Sequence, residues 1–418
     1  MRASNSKLYE KITKEQRTLL GLLGESLFGR SFEPEEGVDW SAVFSESRSQ
    51  AVCLLAFQNY KQLPFSDNDL YKTVSDTVLR LTAQNMANRR SHALLDSIMR
   101  GAGIEYCILK GVSSAHYYPS PILRAMGDVD FYVNDIDGAA KALEANGFTT
   151  NDRIGTEFGH HLVFKNKKDH FELHYEVCEY PKSSVTPVLK EYMSDIIECS
   201  SEAYEELVRY RKTSDFHHGL NLLIHSQQHM TSEGIGLRHL CDWAVFVDSM
   251  SERDFTDLFK ERLQRVGLWK FARIFSLASV IALGMKEADW MYEDDRDILV
   301  AEQITSDIIY GGNFGRKDDT RRYEAMMISL PGKDGKKRGS LGSIIGSLNR
   351  LARCYWPVVK KLPFLYPLFW LFLVVRLLFR IATGKRSVSV LSVSSKKSRD
   401  RASVYSELRL FETEQHDK

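Results

Sequence analysis

No two of the six cysteines (Cys53, Cys107, Cys178, Cys199, Cys241 and Cys354) form a CxxC pair. Their spacing supplies neither a disulfide framework nor a zinc ribbon, so they read as reduced thiols, mostly core fillers. The opening MRASNSKLYEKITKEQRTLL carries charge throughout and has no apolar h-region, so no signal peptide is expected there. These two absences predict a cytoplasmic protein. An excess of one charge is missing too: 56 Lys+Arg meet 55 Asp+Glu. No internal repeat is visible. The apolar run Leu362–Val375 is charge-free for only fourteen residues, whereas a spanning helix needs about 20.

What is present is a globular composition, 43% hydrophobic and 27% charged over 418 residues, which excludes global disorder, collagen-like and coiled-coil chains. That length predicts two or three structural units. The balanced charge hides an asymmetry. Pro331–Arg401 holds 16 basic residues and two acidic ones, a net +14, so the rest of the chain sums to −13.

Apolar periodicity predicts helices in the first hundred residues: Leu19, Leu20, Leu22, Leu23 and Leu27, then Leu70, Val74, Val78 and Leu81, then Leu94, Leu95 and Ile98. Gly101 and Gly103 end the last of these. The character then changes. IEYCIL (104–109) suits a buried strand, and DVDFYV (128–133) alternates acid with apolar residues as a two-faced strand does. A helix through Ala139, Ala140 and Leu143 ends at Gly147. HLVFK (161–165) and HFELHYEV (170–177) read as two strands joined by a turn at 166–169. Residues 104–177 are thus the one clearly strand-rich unit, and helical spacing returns over 185–330. GKDGKKRGSLG (332–342) marks a domain edge. The expected organisation is a helical region (1–100), an α/β core (101–180), a helical domain (181–330), and a basic C-terminal region (331–418) with a mobile tail from Thr383.

The chemistry concentrates in LKGVSSAHYYPSPILRAMGDVDFYV (109–133). Asp128 and Asp130 are two apart on a strand, so both carboxylates share a face. Their repulsion calls for a cation, and hard oxygen donors favour Mg²⁺ or Mn²⁺. Glu172 is flanked by apolar Phe171 and Leu173 facing the other way, so on a neighbouring strand it joins the aspartates as a third acid. Three such acids behind a glycine turn suit phosphoryl or nucleotidyl transfer. The Lys110-Gly111 turn lets backbone approach phosphate closely, and Lys110 and Arg124 supply positive charge. A solvent-facing acid pair on a strand is the plainer reading of DVD by itself.

LKG, YPSPILRAMGDVDFYV and FELHYEV together resemble the uncharacterised nucleotidyltransferase family of the polymerase-beta-like superfamily. The matching positions are Lys110-Gly111, Tyr118-Pro119, Arg124, Asp128/Asp130, Glu172/His174, His225/His229 and Arg238/Asp242, within roughly residues 70–300. The resemblance implies an α+β protein, a small mixed-sheet nucleotidyltransferase core embedded in helical regions. It also implies metal-dependent transfer of a nucleotidyl group from an NTP, ATP being the expected one, to an acceptor hydroxyl. Asp128, Asp130 and Glu172 would be catalytic and metal-holding. Lys110, Gly111, Ser113, Arg124 and His174 would bind the nucleotide. The sequence departs from the superfamily's Gly-Ser or Gly-Gly turn, having Gly111-Val112, and has Glu172 where aspartate is commoner. The acceptor (sugar, metabolite, protein or RNA end) is not encoded in any motif. Protein nucleotidylation and nucleotide sensing without turnover are the alternatives.

The other histidines have structural readings. His174 orients Glu172, touches phosphate, or bonds to backbone. His225 and His229 are helix-packing residues rather than zinc ligands, since HSQQH lacks the glutamate of a metalloprotease. Arg238 and Asp242 form a helix ion pair, or line the cleft. His160 and His161 sit at a turn or strand edge. Leu362–Val375, with Pro367 inside and Lys360, Lys361, Arg376 and Arg380 flanking, is expected to pack on the helical body. Peripheral contact with anionic lipid through 357–386 is the alternative. Nucleic acid is not expected, because no recognisable module accompanies the basic region.

Overall fold

The computed structural model describes residues 6–65, 67–151, 160–181, 183–205 and 208–317. In the C-terminal part it describes 345–346, 348–349, 352, 356–360, 362–382, 401 and 403–413. The loop 332–342, Cys354 and the stretch 383–400 lie outside the described residues.

The fold is α+β. Six strands, β1 (Tyr106–Ile108), β2 (Val129–Val133), β3 (His161–Lys165), β4 (His170–His174), β5 (Ser201–Glu205) and β6 (Val208–Lys212), form one mixed sheet in the order β3-β4-β2-β1-β6-β5. β2 runs parallel to β4 and antiparallel to β1, and β1 runs parallel to β6. Alternation sorts the side chains. Val129, Phe131 and Val133 join Phe171 and Leu173 in the core beneath the sheet. Asp130 and Glu172, register partners across β2 and β4, therefore share the other face.

The helices used below are α1 (Lys14–Phe28), α2 (Asn68–Gly101), α3 (Val112–Ala115), α4 (Ile136–Ala145), α5 (Asp215–Thr231), α6 (Leu237–Asp248), α7 (Trp269–Leu283), α8 (Arg296–Gly311) and α9 (Tyr366–Ala382). Thr13 and Gln16 close a capping box on α1. Asp67 caps α2, whose 34 residues span about 50 Å. Val74, early in α2, lies in the large helical core with α1, α5, α6, α7 and α8. Leu95, Ile98 and Met99, near its end, lie in the sheet core with Leu143 of α4. One helix therefore belongs to both cores and fixes the sheet against the helical body.

Three sequence expectations need correction. First, 185–330 is not wholly helical, since β5 and β6 extend the sheet to Lys212. Their buried side is Ala203, Glu205, Val208 and Tyr210, with Glu202, Tyr204 and Arg209 outward. So few apolar residues give no recognisable run. Second, the tail is not mobile throughout. Tyr405, Leu408, Leu410 and Phe411 are buried in the large helical core, and the Arg401 guanidinium pairs with Asp307 at 3.4 Å. The charged 383–400 stretch obscures this docking segment in sequence. Third, α9 does not bury its apolar residues on the helical body. Phe369 forms a small separate core with Ala352 and Val359, while Leu368, Leu371, Phe372, Val375 and Phe379 remain exposed. These five recur at i, i+3, i+4, i+7 and i+11, one stripe of a helix. None of the described helices is long and apolar enough to cross a membrane.

Candidate active site

The site begins where β1 ends. The Leu109 N–H donates to the Asp130 carbonyl at 2.9 Å, which ties the Lys110-Gly111 turn to β2. Gly111 has φ +59, and a Cβ there would stand 2.3 Å from His92 Nε2. Only glycine satisfies both conditions. Asn221 of α5 donates to the Leu109 carbonyl at 3.2 Å, and Ser113, on α3, is buried.

Lys110 Nζ donates to Asp130 Oδ1 at 3.0 Å. His174 Nε2 reaches the same oxygen at 3.3 Å and Glu172 Oε2 at 3.8 Å. Asp128 stands just before β2, exposed, with His170 Nδ1 at 2.8 Å. Three groups of metal-capable atoms result, each within 4.8 Å internally: Asp128, His170 and Glu172; Asp130, Glu172 and His174; and His160, His161 and His174, without an acid. Glu172 belongs to the first two. His160 and His161 crowd the same place, their rings each 5.1 Å from that of His174, and His161 Nε2 lies 3.8 Å from Glu172 Oε2. They are not merely strand-edge residues.

Sequence reading passed over His170, although His170, Glu172 and His174 alternate along β4 and so share a face. His92 left no local signal, because it meets Gly111 only through the packing of α2.

Charge distribution distinguishes the acids. Burial works to raise Asp130, but the Lys110 charge and the His174 hydrogen bond overcome it and hold the carboxyl well below its ordinary range. Glu172 is pushed up to about 8, first by burial and then by the negative charge of Asp130. Carboxylates forced together in this way, with imidazoles at the margin, suit a divalent cation.

Three residues, Tyr118, Arg124 and the distant Asp242, frame the turn. Arg124 donates to both oxygens of Asp242, on α6, at 2.7 and 2.8 Å, and to the Gly111 carbonyl at 3.2 Å. The Tyr118 hydroxyl donates to Asp242 Oδ1 at 2.6 Å. Burial works against the Asp242 carboxylate, yet the Arg124 charge and hydrogen bonds bring it down to about 2. The expected Arg238–Asp242 helix pair is therefore replaced by Arg124–Asp242. His225 and His229 stack edge to face at 4.4 Å, and both rings lie near His239. The nitrogens of these three do not form one of the metal-capable groups among the described residues.

These interior histidines set a pH dependence. Burial pulls His92, His218 and His229 from 6.5 down to about 4, about 3 and about 4. Their folded values lie below the unfolded one, so the unfolded chain takes up protons first as pH falls. The stabilisation is complete above about 6.5 and drains away toward 4, at about 1.4 kcal/mol per group per pH unit. Urea unfolding at pH 7.5, 6 and 5 is expected to give midpoints that fall in that order. Equal midpoints would show that these rings are protonated in the fold or solvated.

The sequence profile of a family described as an uncharacterised nucleotidyltransferase matches residues 36–279. That is more than half of the chain, and the chain belongs to this family. No curated protein matches it.

Proposed function

We propose that this chain is a metal-dependent enzyme of the cytoplasm that moves a nucleotidyl group from an NTP, ATP in the first instance, to an acceptor hydroxyl. The observation that carries the reading is the register pair Asp130–Glu172 across parallel strands, with Asp128 reaching the same Glu172. Asp128, Glu172 and His170 would hold one Mg²⁺ or Mn²⁺, and Asp130, Glu172 and His174 a second. Such ions, when bound, neutralise triphosphate charge and favour the ionised acceptor oxygen. The chain's own part is positioning and proton transfer. Gly111 opens the backbone to phosphate. Arg124 acts through the turn, holding the Gly111 carbonyl, instead of reaching the triphosphate. The acceptor oxygen forms its bond to the α-phosphorus as the bond to the β-phosphate oxygen breaks and pyrophosphate leaves. Glu172 stands where it can take the hydroxyl proton, with His161 and His174 each 3.8 Å away.

Mass spectrometry after incubation with Mg²⁺, each NTP and cell lysate tests this. A nucleotidyl adduct on a metabolite, sugar or RNA end supports transfer to a hydroxyl. An adduct on protein supports the nucleotidylation alternative. Binding without any adduct or pyrophosphate would leave nucleotide sensing.

The exposed stripe of α9 supports a further placement. It lies in the +14 segment, Arg376 is exposed at its edge, and Lys360 and Lys361 precede it. Apolar side chains beside clustered cations complement an anionic bilayer surface. The protein is expected to float with phosphatidylserine-containing vesicles at low salt and to be released as salt rises. Concentration-dependent self-association without flotation would assign the stripe to a second copy. Retention through alkaline carbonate would contradict a surface-lying helix.

A further inference from the structure

The site holds one arginine whose charge the protein does not answer. Arg238 lies in the first turn of α6, half-buried, and its Nε is shielded from solvent with no hydrogen-bond partner. Its Nη1 reaches only the Ala125 carbonyl, at 3.5 Å, the outer edge of hydrogen-bond range. Among the described residues it forms no ion pair. The carboxylate one turn along, Asp242, is taken bidentately by Arg124 and again by Tyr118. Two guanidinium groups, Arg124 buried and Arg238 half-buried, thus share one carboxylate, and Arg124 makes all the close contacts.

Arg238 is nevertheless held in place. The Phe314 ring lies 6.0 Å from its guanidinium carbon, and Phe314 adopts a left-handed backbone (φ 55, ψ 38) to put it there. The same ring is 4.9 Å from His229 and 5.5 Å from His239. Both His239 ring nitrogens are buried without a partner. Ala125 stands in the loop that leads, three residues on, into Asp128. The Asp130 charge acts on both Arg238 and His229. A cation removed from water without a counter-ion is costly and persists where an anion completes it. A planar guanidinium fork suits phosphate oxygens.

We propose that Arg238, backed by Phe314 and bordered by His229, is the phosphate-receiving cation of this site, the role that the sequence pattern suggested for Arg124. The proposal rests on the nucleotide-transfer reading for its substrate, an NTP triphosphate. Its physical content is narrower: Arg238 is an anion subsite.

Inorganic tripolyphosphate without metal is the probe that separates the two. Calorimetry is expected to show tripolyphosphate binding to the full chain and about 10- to 100-fold weaker binding to Arg238→Met, with Arg238→Lys between them. Arg238→Met should unfold no earlier than the unaltered protein, because it removes a half-buried charge that has no ion-pair partner among the described residues. Absence of tripolyphosphate binding to the unaltered protein, or equal binding to Arg238→Met, would overturn the proposal. A lowered unfolding midpoint for Arg238→Met that Arg238→Lys restores, with binding unchanged, would overturn it too by marking Arg238 as structural. Arg238-dependent tripolyphosphate binding in a protein that forms no nucleotidyl adduct would sustain the subsite while the transfer reading fails.

Discussion

Asp242→Asn is expected to cost about 3–5 kcal/mol of unfolding free energy, the range for breaking a buried ion pair. Asp242 is the counter-charge of the interior around the turn: it accepts two hydrogen bonds from Arg124 and one from Tyr118. Asparagine keeps the shape, removes the charge, and leaves the buried Arg124 without its counter-ion and the half-buried Arg238 with like charge nearby. Arg124 also holds the Gly111 carbonyl, so the turn loosens with the pair. Replacing both partners, Asp242→Leu with Arg124→Met, should recover much of the loss, since apolar groups of similar volume need no partner. Urea unfolding of the single and double variants measures the coupling. A single variant within about 0.5 kcal/mol of the unaltered protein would mean that the pair is solvated.

The second large effect is on metal binding. Glu172 is common to the two metal-capable groups that contain Asp128 or Asp130, each of which serves one. Glu172→Gln should therefore remove both ions and Asp128→Asn only one. Each loss should exceed the 10–100-fold change that follows from altering a mere outer partner of a ligand. Electron paramagnetic resonance of bound Mn²⁺ counts the ions, reading two, one and none across the unaltered protein, Asp128→Asn and Glu172→Gln. Two ions retained in Glu172→Gln would place the metal elsewhere.

The convergence of the three acids was legible because strand alternation is a local rule. DVD and FEL each declare their faces, and the β2–β4 register then sets Asp130 opposite Glu172. Gly111 was legible for the same reason, as a lysine-glycine turn after an apolar strand. Arg124 was not. It precedes its partner Asp242 by 118 residues, and nothing in the local pattern distinguishes it from Arg238, which lies at the helical spacing from that aspartate. Sequence spacing thus suggested the wrong arginine for the ion pair and left the unanswered one unnoticed. The strands of 201–212 escaped notice because their inward residues include Glu205, which burial alone would not predict. Glu205 is admitted there by its contact with Arg89 on α2. The α9 stripe shows the limit of composition: fourteen charge-free residues suggest burial, yet the helix leaves five apolar side chains exposed.

Asp128, Asp130 and Glu172 are proposed to form a metal-dependent NTP site. Calorimetric titration of ATP into the protein with Mg²⁺, with EDTA, and into the Asp128→Asn/Asp130→Asn double variant tests it most directly. ATP is expected to bind with Mg²⁺ and to lose most of that binding with EDTA and in the double variant, because the metal neutralises most of the triphosphate charge. Tight ATP binding that persists in EDTA and survives the double variant would contradict it.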